Sequence, residues 1–139
     1  MSAGGTPEGP GPGGILRTLG LAVVEAGNGR AVVEGTPDTS HCNPFGVVHG
    51  GYTATLLDNA IGVAVHTAAR DGLGFTTLEL KVSYLRAVLP GSGTVRGEAT
   101  VTSIGRRVAF AEARLTDQQG RLCATASSTL ISVERPAGS

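Results

Sequence analysis

Tryptophan is absent from this chain, and three Phe and two Tyr are its whole aromatic complement. The core must then be built from Val, Leu, Ile and Ala, and so few rings leave little surface for stacking on bases. Charge of one sign is also lacking, because eleven Lys and Arg balance eleven Asp and Glu. No basic field draws a polyanion and no acidic excess marks a solvating tail, so nucleic acid is not an expected partner. Only two cysteines occur, Cys42 and Cys123, far apart and outside any CxxC pair. That pattern suggests neither a disulfide framework nor a zinc site, and it fits reduced thiols in a cytoplasmic protein. The chain opens with no basic stretch followed by an apolar run, and its apolar segments are too short and interrupted to cross a bilayer. With 139 residues, a single domain is expected, one that buries roughly two-thirds of the surface its unfolded form exposes.

What is present divides along the chain. Residues 1–13 are rich in Gly and Pro and bury too little apolar area to offset the entropy of ordering, so they are expected to be a disordered tail. Residues 14–134 form the expected domain, and residues 135–139 a second flexible tail. Ile15 to Leu19 suggests a short helical turn. Leu21 to Ala26 and Arg30 to Gly35 read as strands of a hairpin around Gly27-Asn28-Gly29. Thr36 to Val48 carries two prolines and no sustained period, the mark of a loop. From Gly51 to Ala69 the chain is proline-free and rich in Ala and Leu. Gly51, Thr55, Asp58, Gly62 and His66 form one small or polar stripe on an otherwise apolar helix, which predicts burial of the rest.

After Gly74 the period changes to two, with Leu78, Leu80, Val82 and Tyr84 on one face and Thr77, Glu79, Lys81 and Ser83 on the other. Three further strands, about Thr94 to Ile104, Val108 to Asp117 and Arg121 to Val133, follow with short turns, which predicts an antiparallel meander. The whole is an α+β domain whose sheet covers one central helix.

Asp58 is the anomaly, since removing a carboxylate from water costs several kcal/mol unless it is paired or hydrogen-bonded. It is either a solvated member of the polar stripe or a functional group. Its place favours function, because Asp58 is expected on the first turns of the helix, beside its entry. Gly50 and Gly51 remove side chains where backbone N–H groups have no intrahelical acceptor, and the positive end of the helix dipole favours developing negative charge there. A carbonyl oxygen could be received at that point as in an oxyanion hole. Asn43 could hold a carbonyl or a water through either end of its amide, although asparagine is also an ordinary turn residue. His49 reads as a group that orients the loop by hydrogen bonding rather than as a base. His66 reads as a packed or interface histidine. HxxxH and HExxH are absent, so no metal site is expected.

The run from Asn43-Pro44-Phe45-Gly46-Val47-Val48-His49-Gly50-Gly51-Tyr52 to Leu57-Asp58-Asn59-Ala60 closely resembles the signature of hotdog-fold thioesterases of the phenylacetic-acid-degradation type (PaaI-like), which include a branch of 4-hydroxybenzoyl-CoA thioesterases. Thr77 to Arg86 resembles the family's first long strand, and Gly105 to Phe110 its turn into a later one. The resemblance implies the hotdog fold, a curved antiparallel sheet wrapped around one long helix. It also implies homodimers joined sheet edge to sheet edge, often paired again into tetramers, with active sites at the dimer interface. By position, Asp58 matches the catalytic carboxylate, as nucleophile or general base, and the Gly50 N–H matches the donor to the thioester carbonyl. Asn43 matches the polar group near the thioester or water, Thr77 the strand hydroxyl that positions water, and His49 the motif histidine. Some members carry Glu where this chain has Asp58.

The implied reaction is hydrolysis of an acyl-CoA, with a small aromatic or medium-chain acyl group, to free acid and CoA. No cofactor is implied beyond the CoA of the substrate, because an activated ester needs only a carboxylate and oriented donors. Gly51, Phe45 and Tyr52 are the candidate pocket residues, and Arg86, Arg106 and Arg107 the candidate partners of the CoA phosphates, with solvated charge as the plain alternative. Two rival functions remain at this level, a hotdog enoyl-CoA hydratase or dehydratase and a non-catalytic acyl-CoA-binding hotdog protein.

Overall fold

The computed structural model describes residues 13–134. The two tails expected from composition therefore lie outside the described residues, except for Gly13, which precedes the first helix. The elements run α1 (Gly14–Leu19), β1 (Ala22–Gly27), β2 (Arg30–Gly35), a short 3-10 turn at Thr39–His41, α2 (Gly50–Ala68), β3 (Leu73–Tyr84), β4 (Val95–Ile104), β5 (Val108–Thr116) and β6 (Leu122–Glu134). The β1–β2 hairpin turns on Asn28 and Gly29, both at positive φ, 55° and 76°. Two successive left-handed residues match the right-handed twist of the strands they join.

All six strands pair antiparallel in one sheet of order β1-β2-β4-β5-β6-β3. The meander expected from sequence holds for β4, β5 and β6 but not for β3, which pairs with β6 at the far edge, while β4 pairs with β2. The reason lies in the connections. Short turns close β4 to β5 and β5 to β6, whereas the segment from Leu85 to Thr94 contains Pro90, Gly91 and Gly93. It is long enough to cross the sheet, leaving β3 as an edge strand.

The sheet curls around α2. Leu56, Leu57, Ala60, Ile61, Ala64 and Val65 are fully buried on one side of the helix, as the apolar pattern predicts. Each large one contributes about 1.5–3 kcal/mol by leaving water. Facing them, the inner surface of the sheet is made small by Gly97, Ala99, Ala109, Ala111, Ala113, Ala124 and Ala126. A Cβ built on Gly97 would collide with Leu56 Cδ2 and lie 3.1 Å from Leu57 Cδ2. Large residues on the helix and small ones on the strands are what let a sheet wrap so closely.

One irregularity bears on the site. The β3–β6 register shifts between Thr77 and Glu79, so Leu78 is the extra residue of a bulge. Strict alternation from sequence put Thr77 on one face with Glu79, Lys81 and Ser83, opposite the face of Leu80 and Val82 that packs on the core. The bulge reverses the faces at that point, and Thr77 shares the helix side with Leu80, Val82 and Tyr84.

Candidate active site

The polar stripe of α2 and the edge strand β3 form the candidate site. Asp58 is partly buried, and its Oδ1 accepts a hydrogen bond of 2.8 Å from Thr77 Oγ1. Its second oxygen has no hydrogen-bond partner among the described residues and is left for an incoming group. Thr55 and Asn59 are spent on the helix itself. The Thr55 hydroxyl donates to Gly51 O at 2.8 Å and the Asn59 amide to Thr55 O at 2.8 Å.

α2 starts at Gly50, one residue before the start expected from sequence, with His49 as its N-cap. The His49 Nδ1 accepts the Gly51 N–H at 2.7 Å, so in the neutral ring the proton sits on Nε2. The orienting role expected of His49 is thus visible as a cap, and the Gly51 N–H is already used. The Gly50 N–H, with no intrahelical partner and no acceptor among the described residues, is the donor that stays open. Asn43 is also partly committed. Its Oδ1 accepts from the N–H groups of Phe45 at 2.9 Å and Val47 at 3.2 Å. Only its NH₂ end is left to meet a ligand. Phe45, at the tip of that turn, is 89% exposed.

Two expectations need correction. Asp58 does not lie on the first turns of the helix beside the open amide. It stands eight residues past Gly50, about 12 Å along the axis at about 1.5 Å per residue. Within one chain, therefore, Asp58 and the Gly50 N–H do not meet the same carbonyl. Tyr52 is not a pocket residue either. It is 4% exposed, its ring lies 4.8 Å from that of His41, and its hydroxyl has no hydrogen-bond partner among the described residues. Burial, with Asp38 nearby, pushes its pKa up to about 12. Tyr52 belongs to the core.

The arginines fall into two places. Arg106 and Arg107 are exposed on the β4–β5 turn, where the Arg107 carbonyl accepts from Ser132 N at 2.8 Å. That turn lies near the start of β3, since Val108 pairs with Ile131 and Ile131 with Thr76. Arg86 lies past the opposite end of β3. It lines a groove of about 390 Å³ with Val47, Val48, Gly50, Tyr84 and Cys123. One chain does not bring the two groups together. A larger groove of about 760 Å³ runs over the outer sheet face past Lys81, Glu98, Glu112 and Arg114, away from Asp58.

Tyr84 is the residue that sequence reasoning missed. Its hydroxyl donates to Gly50 O at 2.6 Å across 34 residues of sequence. The only signal for it was its place in the inward-facing series with Leu80 and Val82. Among the described residues no group of three or more His, Cys, Asp or Glu could hold a metal ion, and no helix is long and apolar enough to cross a membrane.

Comparison with known proteins agrees with this fold. The proofreading thioesterase EntH of Cronobacter sakazakii is 32% identical over 113 residues, covering 81% of this chain and 81% of that one. The solved structure of the conserved protein PA5202 from Pseudomonas aeruginosa superposes with a TM-score of 0.81 at 32% identity, over 86% of this chain and 94% of that one. A mutant of the phenylacetic acid degradation protein PaaI from Thermus thermophilus gives a TM-score of 0.77 at 27% identity, over 84% and 96%. The family model of the thioesterase superfamily matches residues 45–124. With its curved sheet around one helix, the chain belongs to the thioesterase superfamily and is a PaaI-like hotdog thioesterase.

Proposed function

We propose that this thioesterase hydrolyses acyl-CoA, carrying a small aromatic or medium-chain acyl group, to the free acid and CoA, with Asp58 as the reacting carboxylate. The observation that carries the reading is the hydrogen bond from Thr77 to Asp58. It joins the helix to the helix-facing side of the edge strand and leaves one carboxylate oxygen open. As nucleophile, that oxygen attacks the thioester carbon, the C–S bond breaks, CoA leaves as thiolate, and water then cleaves the mixed anhydride. As general base, Asp58 takes a proton from water while the water oxygen attacks the thioester carbon; the tetrahedral intermediate then breaks its C–S bond, and CoA leaves as thiolate and takes up the proton. In either case the carbonyl oxygen gains charge, which the Gly50 N–H stabilises. The Asn43 NH₂ assists there. No metal or cofactor enters the proposed reaction.

The separation of Asp58 from Gly50 supports a site shared by two chains. β3 is an edge strand of 12 residues, a row of open N–H and C=O groups that a second copy can pair with. When two such edges pair antiparallel, the Thr77 end of one strand lies beside the Tyr84 end of the other. Asp58, held by Thr77, then approaches Gly50 of the partner subunit, held by its tyrosine. The homodimer is the proposed working unit, with a tetramer of two such dimers, in the cytoplasm. Phe45 and Gly51 would line the acyl side of this shared cleft, and Arg86, Arg106 and Arg107 are the candidates for the CoA phosphates, since guanidinium matches phosphate geometry. A small aromatic acyl group is favoured because one relative is a phenylacetic acid degradation protein.

The test is a panel of aryl-, arylacetyl- and straight-chain acyl-CoAs incubated with the protein and a thiol-trapping dye. Thiol release, fastest with the aryl or arylacetyl members, is expected. Release from none of them would contradict the acyl-CoA reading.

A further inference from the structure

We propose that Tyr84 is a positioning residue that, together with His49, clamps the Gly50–Gly51 peptide at the mouth of α2 and so fixes the direction of the Gly50 N–H. The inference rests on the reading of that N–H as the donor to the thioester carbonyl.

Two successive glycines at a helix start are a poor way to hold an amide still. Glycine gives up the most backbone freedom on ordering, and the first N–H groups of a helix lack intrahelical acceptors. Both ends of the Gly50–Gly51 peptide are nonetheless tied. Its carbonyl accepts the Tyr84 O–H at 2.6 Å, and its N–H donates to His49 Nδ1 at 2.7 Å. Because the peptide is planar, two bonds at opposite ends fix its orientation. The preceding peptide, which carries the Gly50 N–H, is held through its own carbonyl, where His49 O accepts from Tyr52 N at 3.0 Å. The bonds from Tyr84 through the peptide to His49 form one chain, and bonds in such a chain polarise one another.

The glycines themselves fit this reading. A Cβ on Gly50 would stand 3.1 Å from both Cζ and the hydroxyl oxygen of Tyr84, and one on Gly51 would stand 3.0 Å from His49 Nδ1. Each glycine makes room for one clamp. Partial burial pushes the pKa of the Tyr84 hydroxyl up, which keeps it a donor.

Tyr84→Phe removes the hydroxyl and keeps the ring. The expected result with an acyl-CoA substrate is a drop in kcat of about five- to tenfold with KM within about twofold, the size of one neutral hydrogen bond felt in the transition state. Hydrogen exchange at the Gly51 amide should quicken, while the amides of Ile61 and Val65 in the middle of α2 keep their protection. The ring ¹⁵N signals of His49 should lose the pattern of a single tautomer. A wild-type kcat overturns the proposal, and so does a lowered Tm with kcat and Gly51 exchange unchanged, which would make Tyr84 structural only. If the unsubstituted protein released no thiol, the functional reading would fail by itself, and Gly51 exchange would still decide whether the clamp exists.

Discussion

Asp58 is held by a single strand hydroxyl. Because this bond is exposed to water it adds little to stability, but it fixes one carboxylate oxygen and so aims the other. Thr77→Val keeps the side-chain shape and deletes the donor. We expect kcat to fall about tenfold or more, by the conversion of about 1.4 kcal/mol per decade. Tm should change little, because Thr77 is exposed; steady-state kinetics and a thermal melt check both, and an unchanged kcat would show that Asp58 needs no such support. Much at this scale was legible from residue type, since a carboxylate on an apolar helix and paired glycines at its entry stand out in any chain. Tyr52 was misplaced because nearness along a helix is not nearness on its surface. Six residues turn about 600°, which puts Tyr52 some 120° away from Asp58 around the axis and into the core. Tyr84 stayed hidden because its partner lies 34 residues away, beyond any local spacing rule.

α2 and the sheet fit because bulk sits on one and small residues on the other. Gly97→Ala tests this fit. The added methyl meets the fully buried Leu56 and Leu57, and overpacking of this kind costs about 1–3 kcal/mol. A lower denaturant midpoint with unchanged slope is the expected outcome, and a midpoint equal to or above that of the unsubstituted protein would show the core to be looser than described. Helix and strands were readable because their periods of 3.6 and 2 follow from backbone geometry alone. Strand order was not, because only the connections fix it. The segment after Tyr84 reads as a turn-rich loop in sequence, whether it turns back or crosses the sheet. The bulge at Leu78 was hidden for a similar reason, as one extra residue in a strand leaves no mark on composition. Its effect on the site is large, for it turns Thr77 toward Asp58.

Two surfaces of the whole molecule differ in character. On the outer sheet face Arg30 bridges Glu25 at 2.7 Å and Glu98 at 2.6 Å, while Arg96 reaches Glu25 at 3.2 Å and Glu34 at 3.4 Å. Exposed pairs of this kind are screened by water, add little to stability and keep the face wet. The β3 edge instead exposes Leu78 at 62% and Tyr84 at 54%, and Leu85 beyond it at 60%, next to unpaired backbone. A second copy meeting that edge would cover apolar surface and complete the cleft that one chain leaves divided. All of this is organised around Asp58 as the reacting group. The direct measurement is thiol release from the best acyl-CoA substrate by Asp58→Asn, made alongside its melting temperature and assembly state. The account predicts a loss of about 10²–10⁴-fold, the usual contribution of a positioned acid or base, with melting and assembly as in the unsubstituted protein. Turnover at the unsubstituted rate would contradict it.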